Sequence, residues 1–134
     1  MNASATLSHA QFWKAVFYFK GAWNCCFTTV FFFFENHLRD SLGVAHPDPA
    51  YQAMFLVLAF VFGLGYWRVG QNISDNRDIV RGGVLGQLAV FVIVANEVFL
   101  AKRLPILFIV PAVVDLSFAV LFVVFLMRTR KDNG

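Results

Sequence analysis

Residues 105 to 127 read PILFIVPAVVDLSFAVLFVVFLM, 23 residues in which Asp115 is the one charged side chain. At 1.5 Å per residue the run makes a helix of about 34 Å, enough to cross a hydrocarbon core of about 30 Å with some tilt. A membrane span is the natural reading, and the rest of the chain agrees. Apolar residues make up 59% of the 134, charged residues 14%, and seventeen residues are Phe. Soluble domains carry nearer 25% charged residues.

Working outward, the sequence predicts three more spans. Residues 80–100 are apolar apart from Arg81 at the start and Gln87, Asn96 and Glu97 further along. Residues 51–67 contain the run AMFLVLAFVFGLGYW, and residues 12–34 include Lys14 and Lys20 but are otherwise largely apolar. Asp48-Pro49 reads as an N-cap followed by proline at the first helical position, and the short AKRL link before Pro105 makes the last two helices neighbours. The fold class is therefore all-α: an integral membrane four-helix bundle with antiparallel up-down topology, forming a single transmembrane domain over residues 1–134.

Lys and Arg set the orientation. With the N-terminus inside, Lys14, Lys20, Arg68, Arg77, Arg81, Arg128, Arg130 and Lys131 share the inner side, against Arg39, Lys102 and Arg103 outside. Both termini are accordingly expected in the cytoplasm and the protein in the cell inner membrane. The formal charge of +3 is spread over helix ends rather than gathered into a patch, so nucleic acid is not an expected partner. The expected partner is the lipid bilayer, with a larger membrane complex or a homodimer as further candidates.

An aspartate at mid-span costs about 2.5–3.5 kcal/mol on insertion scales, so Asp115 is expected to face other helices or trapped water. On a wheel of 100° per residue, Lys20, Asn24, Thr28 and Glu35 of the first helix fall within about 80° of one another. Measured from the inner ends of their helices, Asn24 and Asp115 lie at a common depth of about 18 Å, with Lys20 a turn below and Gln87 at about 10 Å. Lys20, Asn24, Gln87 and Asp115 thus form the candidate ligand pocket. The alternative is an ion pair that fixes helix register.

Small residues mark candidate packing faces: Ala59 with Gly63, and the GxxxG pair Gly82 and Gly86. At the outer end Glu35, His37 and Glu97 make a second polar group, joined by His46 and Asp48. No metal-ligand spacing such as HExxH is present, so no metal and no cofactor is expected. Cys25 and Cys26 read as small buried hydrophobes, with a vicinal dithiol as the other reading. Size, four spans, inner termini and the GLGYW close of the second helix resemble the DoxX-like group of small bacterial membrane proteins. That resemblance implies an inner-membrane protein, in some cases a subunit of quinone-linked oxidoreductases, and it carries over no active-site residue.

Two functions follow. The first is a non-catalytic accessory subunit that binds partners through phenylalanine-rich faces, because the chain has minimal loops and no catalytic motif. The second is a binder, enzyme or transporter for a lipid-like or quinone-like molecule, using the intramembrane Lys/Asn/Gln/Asp pocket.

Overall fold

A computed structural model describes residues 3–129, with side chains from residue 9 onward. Arg130 and Lys131, counted above on the inner side, lie outside the described residues. The described residues are all-α, with four helices: α1 (Ala3–Leu42), α2 (Pro49–Gln71), α3 (Arg77–Ala95) and α4 (Ile109–Arg128). A π-helical turn, Asn96–Leu100, prolongs α3, and a 3-10 turn, Ile106–Phe108, leads into α4. Among the described residues three stretches are long and apolar enough to cross a membrane: Pro49–Gln71, Arg77–Leu100 and Ile106–Arg128.

The first helix is not one of those three, and it is longer than its apolar core. Its 40 residues extend about 60 Å, roughly twice the thickness of a hydrocarbon core. Mean hydropathy averages both faces of a helix, and Lys20, Thr28 and Glu35 of α1 share one. That face is turned in: Trp13, Phe17, Lys20, Thr28 and Glu35 are all buried, within about 80° of one another on the wheel. The opposite side presents Phe12, Phe19, Val30, Phe33 and Phe34, each more than half exposed. Polar inside and apolar outside reverses the order of a water-soluble helix and suits a hydrocarbon solvent.

Local chemistry explains the helix ends. Asp48 is the N-cap of α2, its carboxylate accepting from the amides of Ala50 (2.8 Å) and Tyr51 (3.4 Å), with Pro49 at the first helical position. At the end of α1, Gly43 adopts φ +64°. Its amide donates to Asp40 O and the Val44 amide to Arg39 O, the paired bonds of a Schellman cap. Between α2 and α3, Asn72 organises the turn, accepting from the Ser74 amide and hydroxyl and donating to Asp75. After α3 the carbonyl of Glu97 accepts from the amides of Arg103 (2.8 Å) and Leu104 (3.3 Å), which turns the chain within a few residues. Lys102 takes a left-handed conformation there, φ 53°.

The chain divides into two compact units, each described by itself. Residues up to Phe33 with Asp48–Ile79 form the first, and Phe34–Pro47 with the residues from Val80 onward form the second. In the first unit α1 and α2 run antiparallel. Tyr18 meets Trp67 and Gly70, Gly21 meets Gly63, Asn24 meets Ala59 and Cys25 meets Phe60. The helices approach so closely that a Cβ on Gly21 would lie 2.8 Å from Gly63 O, and one on Gly63 would lie 2.8 Å from Cys25 Sγ. Among the described residues of the second unit the buried positions, besides Glu35 of α1, are Val80, Gly83, Gln87 and Val98 on the α3 side, and Ala112, Phe118, Ala119, Phe122 and Phe125 on α4. Their spacing of three and four residues marks one face of each helix.

Candidate functional site

The buried stripe of α1 carries the polar groups that the sequence singles out. Lys20 has no exposed surface, and Thr28 and Glu35 are 3% and 2% exposed. An ammonium with no access to water is held in place by acceptors or by counter-charge. Asn24, one turn further along, donates from Nδ2 to Ala59 O of α2 at 3.3 Å. Thr28 returns its hydroxyl to Asn24 O at 2.7 Å, the backbone bond that a buried threonine makes in an apolar setting. Lys20 and Asn24 therefore belong to the first unit, on its inward face.

Gln87 and Asp115 belong to the second unit. Gln87 is 5% exposed, on the buried face of α3 one turn beyond Gly83 and just before the partly covered pair Val90 and Phe91. Asp115 is partly covered and lies on the same side of α4 as Ala112 and Ala119, three residues before and four after it.

Glu35, Glu97 and His46 of the second polar group each have a separate partner. Glu35 Oε1 accepts from Arg39 Nε at 2.5 Å, one helical turn on. Arg39 Nη1 also donates to Ala45 O at 3.1 Å, and its guanidinium lies 5.3 Å from the centre of the Phe108 ring. Arg39 thus joins the end of α1, the loop after it and the approach to α4, a role suited to a planar forked cation that stacks on rings. Glu97 Oε1 accepts from Arg103 Nη2 at 2.6 Å. His37 is exposed on α1. His46 instead reaches back to α1, with Nε2 2.7 Å from Asp40 Oδ1 and Nδ1 3.3 Å from Asn36 Oδ1. Among the described residues no three His, Cys, Asp or Glu side chains gather where they could hold a metal.

A groove of about 290 Å³ opens in the first unit between Thr28, Thr29, Phe32 and Phe33 of α1 and Leu56, Val57 and Phe60 of α2. Both threonine hydroxyls are turned to the backbone, Thr29 to Cys25 O at 2.7 Å, so the groove presents methyl groups and rings. Its volume lies at the small end of the range for small-molecule sites.

Sequence reasoning missed Arg39 as a joint, the contacts of His46 with Asp40 and Asn36, and this groove. The Glu35–Arg39 spacing of four was the available signal for the first. Of the candidate packing glycines, Gly63 lies in close contact, whereas a Cβ on Gly82 or Gly86 would meet nothing within 4 Å. The two cysteines are free thiols; Cys25 is partly covered, with Sγ 3.9 Å from Phe60 O, and Cys26 is exposed. No family model, curated protein or solved structure matches the chain.

Proposed function

We propose that the protein is a multi-pass inner-membrane protein with α1 as a fourth span and both termini in the cytoplasm. In this reading it acts by binding partners in the bilayer, as an accessory subunit. The observation that carries this reading is the inversion of α1. Lys20, Thr28 and Glu35 are buried, while Phe32, Phe33 and Phe34 are 60%, 72% and 62% exposed. Helices in lipid associate through packing of such outward faces rather than by escape from water. The DoxX-like resemblance suggests the class of partner, a quinone-linked oxidoreductase.

Isolation from native membranes in a mild detergent tests the reading. The expected result is a stable assembly larger than one copy of the chain; a monodisperse single copy overturns it. A second reading, binding of a lipid-like or quinone-like molecule, is favoured by Lys20, because ionisable residues buried within a span commonly mark ligand or proton paths. Lys20→Arg, which keeps the buried charge but changes its head group, would then weaken binding of a quinone analogue without loss of fold, and unchanged binding removes this second reading.

A further inference from the structure

Along the exposed side of α1 runs a seven-residue repeat. Phe12, Phe19, Cys26 and Phe33 are seven apart, and Ala15, Ala22 and Thr29 follow each of the first three by three positions. All seven side chains are exposed. The stripe lies wholly in the first unit and spans about 32 Å, the depth of a hydrocarbon core. Positions repeating in this way form the seam of a left-handed helix pair, and here the small residues Ala15, Ala22, Cys26 and Thr29 lie between the layers of Phe12, Phe19 and Phe33. Exposed residues over positions 54–64 of α2, such as Met54, Phe55, Val57 and Leu58, are all bulky, as contact with lipid alone permits. Lipid gives no reason for small residues between the phenylalanine layers, whereas close helix approach does.

We infer that this stripe pairs with the same stripe of a second copy, forming a parallel homodimer about α1. The inference rests on the partner-binding reading above and names the partner. Two copies inserted the same way in one membrane bring their α1 helices together parallel, so each layer meets its own counterpart across a twofold axis. Phe12, Phe19 and Phe33 are 53%, 62% and 72% exposed, which leaves about 370 Å² of ring surface per copy at roughly 200 Å² per aromatic side chain. With the small layers and Val30, two copies would cover on the order of 1,000 Å², the lower threshold for a specific interface. The stripe also drifts around α1 by about 20° per heptad, which brings Thr29 and Phe33 to the rim of the apolar groove. The groove and the exposed Phe33 ring then lie at one level of the twofold axis, a knob beside a hole on each copy.

Cys26 sits in the seam, where the two Cα atoms of a parallel pair fall within disulfide range. The test uses the full chain in native membrane vesicles with Cys25→Ser, leaving Cys26 alone. Copper–phenanthroline takes two electrons from the paired thiols, which release two protons as the S–S bond forms. The expected result is a thiol-reversible species of twice the 15.1 kDa monomer. It should be absent from Cys26→Ser, which keeps Cys25, and largely lost when Ala22→Phe is added to the Cys25→Ser chain. A monomer throughout, or equal crosslinking through Cys25 and Cys26, overturns the pairing. A heteromeric complex isolated while Cys26 stays monomeric overturns self-pairing and leaves the partner-binding reading standing; a lone monomer by both measurements removes both.

Discussion

Replacing Gly21 by alanine tests the closest contact in the first unit. The new Cβ would stand 2.8 Å from Gly63 O and 3.1 Å from the amide nitrogen of Trp67, both backbone atoms of α2. Ordinary contact for such a pair begins near 3.4 Å, so α2 must retreat by roughly 0.6 Å along the line to Gly63, or α1 must rotate. Either movement loosens Asn24 on Ala59 O and the Tyr18 ring against Trp67. Overpacking of this kind costs about 1–3 kcal/mol. Alanine also favours the helix by up to about 1 kcal/mol over glycine, which sets the baseline for comparison. Gly82→Ala and Gly86→Ala supply that baseline, because a Cβ at either site meets nothing within 4 Å. Unfolding of the four proteins in mixed micelles should rank Gly82→Ala and Gly86→Ala at or above the parent and Gly21→Ala below it. If Gly21→Ala matches Gly82→Ala within about 0.5 kcal/mol, the close approach of α1 and α2 is refuted.

Three further outcomes are expected. Arg39→Lys keeps the charge but loses the fork shared between Glu35 and Ala45 O and the stacking on Phe108; a loss of about 1–3 kcal/mol is expected by chemical unfolding, and parental stability would contradict the joint described. Lys20→Ala removes an ammonium that has no exposed surface, and breaking a buried charge interaction costs about 3–5 kcal/mol, so folded yield in membranes should fall sharply while exposed Lys14→Ala leaves it unchanged. Lys102→Gly relieves a left-handed residue and should hold or raise stability by about 1 kcal/mol, whereas Lys102→Val should lower it; the opposite order in a thermal melt would refute the turn geometry.

Much of the architecture was legible because bilayer thickness imposes long apolar runs, and Asp48-Pro49 announced the start of α2 through chemistry confined to adjacent residues. The full length of α1 was less legible. Ala3–His9 and Glu35–Leu42 are polar enough to resemble loops, yet they carry no helix breaker before Gly43. Packing contacts were harder still. Gly82 and Gly86 have the motif spacing, but whether a small residue touches a neighbour depends on which face the helix turns inward, and on α3 that face carries Val80, Gly83 and Gln87. Gly21 belongs to no motif and makes the tighter approach. The Arg39 joint unites residues 35, 45 and 108, a juxtaposition that only the folded chain creates.

The central claim is that α1 turns its polar stripe inward and its exposed phenylalanines, Phe12, Phe19, Phe32, Phe33 and Phe34, toward the bilayer. Spin labels placed singly at Phe19, Val30 and Phe33, and at Val92 of α3 and Val120 of α4, measure it in reconstituted bilayers through collision with oxygen and with a water-soluble nickel chelate. All five positions are more than half exposed. Low nickel accessibility is predicted at all five, with oxygen accessibility high at Val92 and Val120 and lower at the three α1 positions, which the paired copy covers. Nickel accessibility at the three α1 positions comparable to that of an exposed site such as His37 would place α1 in water and contradict the claim.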